Sequence, residues 1–170
     1  MIGGIMKTNT AFLIFLVGLF AASTALAAGS SYKAPSVSKD IQYYNKGVDL
    51  MMDKKFAGAE KQFRKALDRN EDLAEAHNNL AYTLRKQGPE HFDEALKHYN
   101  RAIQLKPGLP EPYMYRGVLY VQMGNKEKAL EDHEKLVSMN SDLAKELEYV
   151  VVNGREKEPE QFFGVSKTLQ

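Results

Sequence analysis

Residues 74–107 read AEAHNNLAYTLRKQGPEHFDEALKHYNRAIQLKP, and this stretch decides the fold. Its first half carries Ala76, Leu80, Ala81 and Leu84 at helical spacing and stops at Gly88-Pro89, a pair that punctuates a helix. Its second half repeats the spacing with Phe92, Ala95, Leu96, Tyr99, Ala102, Ile103 and Leu105, and ends at Pro107-Gly108. Two amphipathic helices and a turn make one unit. The unit recurs on both sides: Gly47, Ala81 and Gly117 are 34 and 36 residues apart, and Ala59, Ala95 and Ala129 are 36 and 34 apart. The aromatic slot Phe63, Tyr99, His133 and the apolar slot Ala66, Ala102, Leu136 keep the same steps. A fixed period of this length predicts stacked helix pairs, an architecture that presents binding surfaces more often than catalytic pockets.

Working outward, Ser38 is a candidate N-cap for a helix through Ile41, Tyr43, Tyr44, Gly47, Val48, Leu50, Met51 and Met52, apolar on two faces. The next helix carries Phe56, Ala59, Phe63, Ala66 and Leu67. On the other side, a helix opens at Pro110 or Pro112, where the missing N–H has no partner to lose, and continues through Tyr113, Gly117 and Tyr120. The chain turns at Gly124-Asn125 and returns through Ala129, Leu130, His133, Leu136 and Val137. A seventh helix with a stripe of Leu143, Leu147, Val150 and Val151 starts at Asn140 or Ser141 and ends at Asn153-Gly154. One further helix after the last pair is what the exposed end of a stack requires.

These copies resemble the tetratricopeptide repeat, whose pattern is W-x₂-L-G-x₂-Y, then A-x₃-F, then P. The first copy reads Tyr43, Lys46, Gly47, Leu50, Ala59, Phe63; the second His77, Leu80, Ala81, Leu84, Ala95, Tyr99, Pro107; the third Tyr113, Arg116, Gly117, Tyr120, Ala129, His133. The resemblance implies an all-α fold: a right-handed superhelical stack of three helix pairs, about residues 40–73, 74–109 and 110–141, with a C-terminal capping helix at 142–153. The second copy departs from the others, because Ala81 to Ala95 is 14 residues where Gly47 to Ala59 and Gly117 to Ala129 are 12. The surplus falls near Gly88-Pro89-Glu90, where it lengthens a turn without rotating either helix. The small residues are expected where the two helices of a pair cross, since a larger side chain would push the axes apart.

In the family the first helix of each pair lines a concave surface. The resemblance therefore implies a partner-binding groove built from Tyr44, Asn45, Val48, Met52, Asn78, Asn79, Tyr82, Arg85, Met114, Tyr115 and Val118. Ile41, Glu75, Lys86, Glu111 and Gln122 lie along the same strip. Methionine adapts to irregular surfaces and tyrosine offers an apolar body with a polar tip, so the strip suits a peptide or helix of a partner protein. Some family members grip the acidic tails of cytosolic heat-shock chaperones with a five-residue clamp of lysine, asparagine and arginine. The matching positions here are Tyr44, Val48, Asn79, Glu111 and Tyr115. Only Asn79 agrees, and Glu111 would repel a carboxylate.

Nothing argues for catalysis, a cofactor or a metal. His77 and His133 fill aromatic slots and read as packing; His91 lies in the long turn and His98 on a polar face. No H-x-x-x-H pair, phosphate loop or nucleophile elbow is present. Arg116 stands where the family has an apolar residue, and Asp132, on the returning helix, is placed to pair with it.

The N-terminal segment has a different character. Lys7, an apolar run over residues 11–20 and Ala25-Leu26-Ala27 form the layout of a secretory leader over residues 1–27, cleaved after Ala27. Retention as a membrane anchor is the alternative, against which the shortness of the apolar core argues. Export to the periplasm or outside the cell follows from cleavage, with membrane attachment only if the leader stays. Residues 28–38 are rich in Ser, Pro and Gly and read as a linker. Without Lys7 the chain balances 22 basic against 22 acidic residues, so no broad positive field favours nucleic acid. There is no cysteine, hence no disulfide framework. The tail, residues 154–170, starts charged and ends with Phe162, Phe163, Val165 and Leu169. It reads as a disordered terminus or as a segment that docks back onto the domain. Self-assembly through groove, tail or end helix is the alternative to a separate protein partner.

Overall fold

The computed structural model describes residues 37–157 and residue 169. The expected leader, all but the end of the linker, and most of the distal tail lie outside the described residues. Among the described residues the elements are seven α-helices and one short 3-10 turn, with no strand. They are α1 (Lys39–Met52), α2 (Phe56–Leu67), α3 (Ala74–Gln87), the 3-10 turn Pro89–His91, α4 (Phe92–Leu105), α5 (Pro110–Gln122), α6 (Lys126–Ser138) and α7 (Leu143–Asn153).

Helices α1 and α2, α3 and α4, and α5 and α6 pack as antiparallel pairs. Each pair leans on the next: α3 touches α1, α2 and α5, while α7 closes the stack against α5 and α6. The result is an all-α superhelical stack. Local chemistry sets the helix ends. Pro110 opens α5, Asn125 accepts a hydrogen bond from the Lys128 amide at 3.2 Å to cap α6, and Gly154 ends α7 in the left-handed conformation. Ser38 occupies the N-cap of α1, although its side chain makes no capping bond to that helix.

The two surplus residues of the second pair are divided. Helix α3 runs six residues beyond Ala81, where α1 and α5 run five beyond Gly47 and Gly117. The turn to α4 takes the other, as the 3-10 segment after Gly88, whose φ of 146° suits glycine. Ala59, Ala95 and Ala129 each stand three residues into their helix, so the phase is kept.

The core follows the repeat. Ala59, Ala95, Ala129, Phe63, Tyr99, Ala66, Ala102 and Leu136 are fully buried. A Cβ on Gly47 would lie 2.6 Å from the Phe63 ring, which places this glycine at the crossing within the first pair. Gly117 corrects the expectation of an equivalent crossing in the third pair. Its missing Cβ would meet Leu147 of α7 at 2.5 Å, so Gly117 makes room for the capping helix. Leu130 and Val137, read from the sequence with the apolar face of α6, are 45% and 55% exposed.

Arg116 meets Asp132 as the sequence suggested, through Nε to Oδ2 at 3.0 Å and Nη2 to Oδ1 at 2.5 Å. His98 is a second correction: it faces His77, with the two Nδ1 atoms 2.8 Å apart, while His77 Nε2 lies 2.9 Å from the Glu71 carbonyl. If His77 donates to that carbonyl, its Nδ1 is the acceptor and His98 the donor. Burial depresses both rings, His98 to about 4.

Candidate partner-binding groove

The inner face is built by α1, α3 and α5, and its side chains form a ladder set by helical spacing. On α3, Asn78, Asn79, Tyr82, Arg85 and Lys86 recur at three- and four-residue steps, so one stripe of that helix faces its neighbours. At one end, Asn79 donates to the Tyr44 hydroxyl on α1 at 3.1 Å and accepts from Asn78 at 3.1 Å. In the middle, Tyr82 meets Tyr115 of α5 edge to face at 5.0 Å and Phe56 of α2 at 6.4 Å. At the far end, the Arg85 guanidinium lies 5.3 Å from the Tyr82 ring centre and 5.6 Å from that of Tyr115, and donates to Gln122 at 3.3 Å.

The eleven residues expected to line the groove divide by exposure. Tyr44, Val48, Asn78, Asn79, Tyr82, Arg85, Met114, Tyr115 and Val118 are buried, Asn45 is half-buried, and Met52 is 50% exposed at the end of α1. Part of this burial comes from the chain's own C-terminal end. Glu156 sits on Arg85 in a two-pronged pair, Nη1 to Oε2 and Nη2 to Oε1, each 2.9 Å, with Lys86 Nζ at 3.8 Å. Asn45 donates to the Leu169 carbonyl at 2.7 Å and accepts from the Leu169 amide at 2.8 Å. Leu169 itself packs against the core. At these two points the tail follows the docking alternative.

Charge is arranged across the strip. Burial works against the charge of Arg85, yet neighbours including Tyr99 and Glu156 hold its guanidinium above the ordinary value. Burial likewise opposes ionisation of Glu156, and Arg85 with Lys86 more than reverses it, leaving that carboxyl below its usual range. The Tyr82 phenol is pushed up to about 12 by burial, against the pull of Arg85. At the opposite end of α3, Glu75 pairs with Lys106 at 2.6 Å, and burial together with Glu75 raises the Glu111 carboxyl. The positions that would form the chaperone clamp hold no cation. The groove's buried cation is Arg85, a residue chosen from the groove strip and outside that clamp. Among the described residues no group of three or more His, Asp or Glu side chains is placed to hold a metal, and no helix is long and apolar enough to cross a membrane.

Sequence reasoning allowed the tail with Leu169 to dock back but named no seat for it, and it missed Glu156 as a groove contact. The available signal was the adjacent pair of cations Arg85 and Lys86 at one end of the strip, while its acids Glu75 and Glu111 lie toward the other.

Helix pairs stacked so that every first helix faces inward define an α-helical repeat protein of the interaction-surface type. The family described as tetratricopeptide repeat matches residues 84–146. Over those residues the chain carries the tetratricopeptide-repeat pattern, and its stacked-pair fold is that of the solved repeat structures it resembles. Among curated proteins it is similar to stress-induced-phosphoprotein 1 of Caenorhabditis elegans, at 24% identity over 132 residues, 75% of this chain. It spans only 41% of that relative's length. Among solved structures it resembles the first such domain of Spaghetti (RPAP3), bound to the HSP90 peptide SRMEEVD. That likeness has a TM-score of 0.62 at 19% identity, covering 68% of this chain and 92% of that one. It also resembles YrrB, described as having an unusual peptide-binding site, with a TM-score of 0.60 at 26% identity over 67% of this chain and 59% of that one.

Proposed function

We propose that the domain is a protein–protein interaction module that takes a peptide or helix of a partner along its concave face. The observation that carries this reading is the continuous inner ladder of Asn79, Tyr82, Tyr115 and Arg85. It combines amide groups suited to a peptide backbone, rigid aromatic surface and one buried cation. The contact residues would be Tyr44, Asn45, Val48, Met52, Asn78, Asn79, Tyr82, Arg85, Met114, Tyr115 and Val118. Peptide binding by Spaghetti and YrrB supports the reading by analogy of fold. The ligand class differs from the chaperone tail, because Tyr44, Val48, Glu111 and Tyr115 replace the clamp. No catalytic residue, cofactor or metal is assigned.

The site of action would be the periplasm or the exterior of the cell, on the strength of Lys7, the apolar run and Ala25-Leu26-Ala27. A second reading is homo-oligomerisation through groove, tail or end helix, favoured by the seating of Glu156 and Leu169 on the inner face and by the exposed Leu130 and Val137. The test is capture of partners from the native envelope on the immobilised chain, set against the same capture by Tyr82→Ala and Tyr115→Ala. The module reading expects a partner that the groove variants lose. Recovery of no partner, with a full-chain oligomer in light scattering, would favour self-assembly.

A further inference from the structure

Two residues of the C-terminal end, Glu156 and Leu169, are seated on the inner face. Arg85 has a fully buried side chain, clasped between two tyrosine rings. A guanidinium so far from water is costly unless a carboxylate meets it, and Glu156, 71 residues on, supplies both oxygens. Asn45 makes the paired contact of one peptide group with another, giving an N–H to the Leu169 carbonyl and taking one from its amide. That bond pair reads main chain and is indifferent to the side chain, as strand addition is. One point thus meets a carboxylate and the other a main-chain peptide group.

We propose that the groove's ligand is an extended peptide bearing a glutamate or aspartate for Arg85 and Lys86, and that the chain's own C-terminal end holds this site in cis, so that an outside peptide must displace it. The inference rests on the groove reading above and adds the ligand's chemistry. A tethered segment enjoys a high effective concentration: twelve residues separate Glu156 from Leu169, and loop closure costs little over such a length. A cis occupant of modest intrinsic affinity therefore suppresses weak ligands and yields to strong ones.

The test uses the whole chain and a fluorescent synthetic peptide of residues 155–170, followed by anisotropy. Glu156→Gln in the protein should loosen the cis tail without touching the groove, and labelled peptide should then bind about tenfold more tightly or better than to the parent chain. The same peptide carrying Glu156→Gln should bind that variant about tenfold more weakly, and Asn45→Ala added to the variant should also weaken binding. Equal binding by parent and variant would overturn cis occupancy, while the groove reading would stand if Asn45→Ala still weakened it. Indifference to both the peptide's acid and Asn45 would overturn the ligand assignment. A full-chain dimer that Glu156→Gln dissociates would put the tail in a neighbour's groove and overturn the cis placement. Circular-dichroism melts of each variant confirm that the helical stack is intact.

Discussion

Arg116 and Asp132 lock α5 to α6 by a two-pronged pair, and the remaining arm of Arg116 reaches Asn100 of α4 at 2.7 Å. One side chain thus ties the last helix pair to the one before it. Burial raises the Asp132 carboxyl even with Arg116 beside it, and Asp132 more than offsets the burial penalty on Arg116. A pair balanced in this way fixes the crossing more than it adds net stability. Replacing either residue alone should destabilise by leaving its partner's charge unmatched, Asp132 buried and Arg116 half-buried. A double-mutant cycle with Arg116→Met and Asp132→Leu should show coupling of about 0.5–3 kcal/mol in denaturant melts. Additive losses would mean the two charges act independently.

The glycines should resist enlargement. Gly47→Ala drives a methyl into the fully buried Phe63 ring, and Gly117→Ala drives one into Leu147. Each should cost on the order of 1–3 kcal/mol by overpacking, as should Ala95→Leu. Gly47→Ala should cost more than Gly117→Ala, because an aromatic ring yields less readily than the tip of a leucine. Unchanged thermal midpoints would show that these helices have room to spare.

The His77–His98 contact should make stability depend on pH. Both rings have folded values below the ordinary 6.5, so the unfolded chain binds protons more readily. Their contribution is full above about pH 6.5 and is lost as pH falls through the unfolded value toward the folded one, near 4 for His98. Urea melts at pH 7.5 and pH 5 should show a drop that His98→Gln reduces. An identical drop in parent and variant would place the titration elsewhere.

The leader should be removed in the native host. N-terminal sequencing of the exported protein should begin at or near Ala28. Intact Met1 on membrane-bound material would instead make the segment an anchor.

The helices and their pairing were legible because apolar spacing and small-residue slots repeat; of the two surplus residues expected in the turn of the second pair, one lies there and the other lengthens α3. Arg116 and Asp132 were legible because each broke the pattern of its slot. What escaped has no period. Glu156 and Leu169 reach α3 and α1 across sequence separations of 71 and 124 residues, with no repeat to carry the register. His98 was placed on a polar face when its helix was judged alone, and only the adjoining α3 supplies His77. Leu130 and Val137 fit an apolar pattern, yet both stand exposed on α6. Gly117 kept the family slot, but the capping helix lies beyond the repeat and so its contact with Leu147 was hidden.

A partner is expected to bind the concave face. Isothermal titration of the partner recovered by capture against four variants tests it most directly, once their melts show intact folds. Tyr82→Ala and Tyr115→Ala should each weaken binding by about thirtyfold, near 2 kcal/mol, as buried aromatic anchors do. Lys65→Glu and Lys97→Glu, on the second helices of their pairs, should leave affinity within a few-fold of the parent. Binding abolished by the two lysine changes and untouched by the two tyrosine changes would contradict the account.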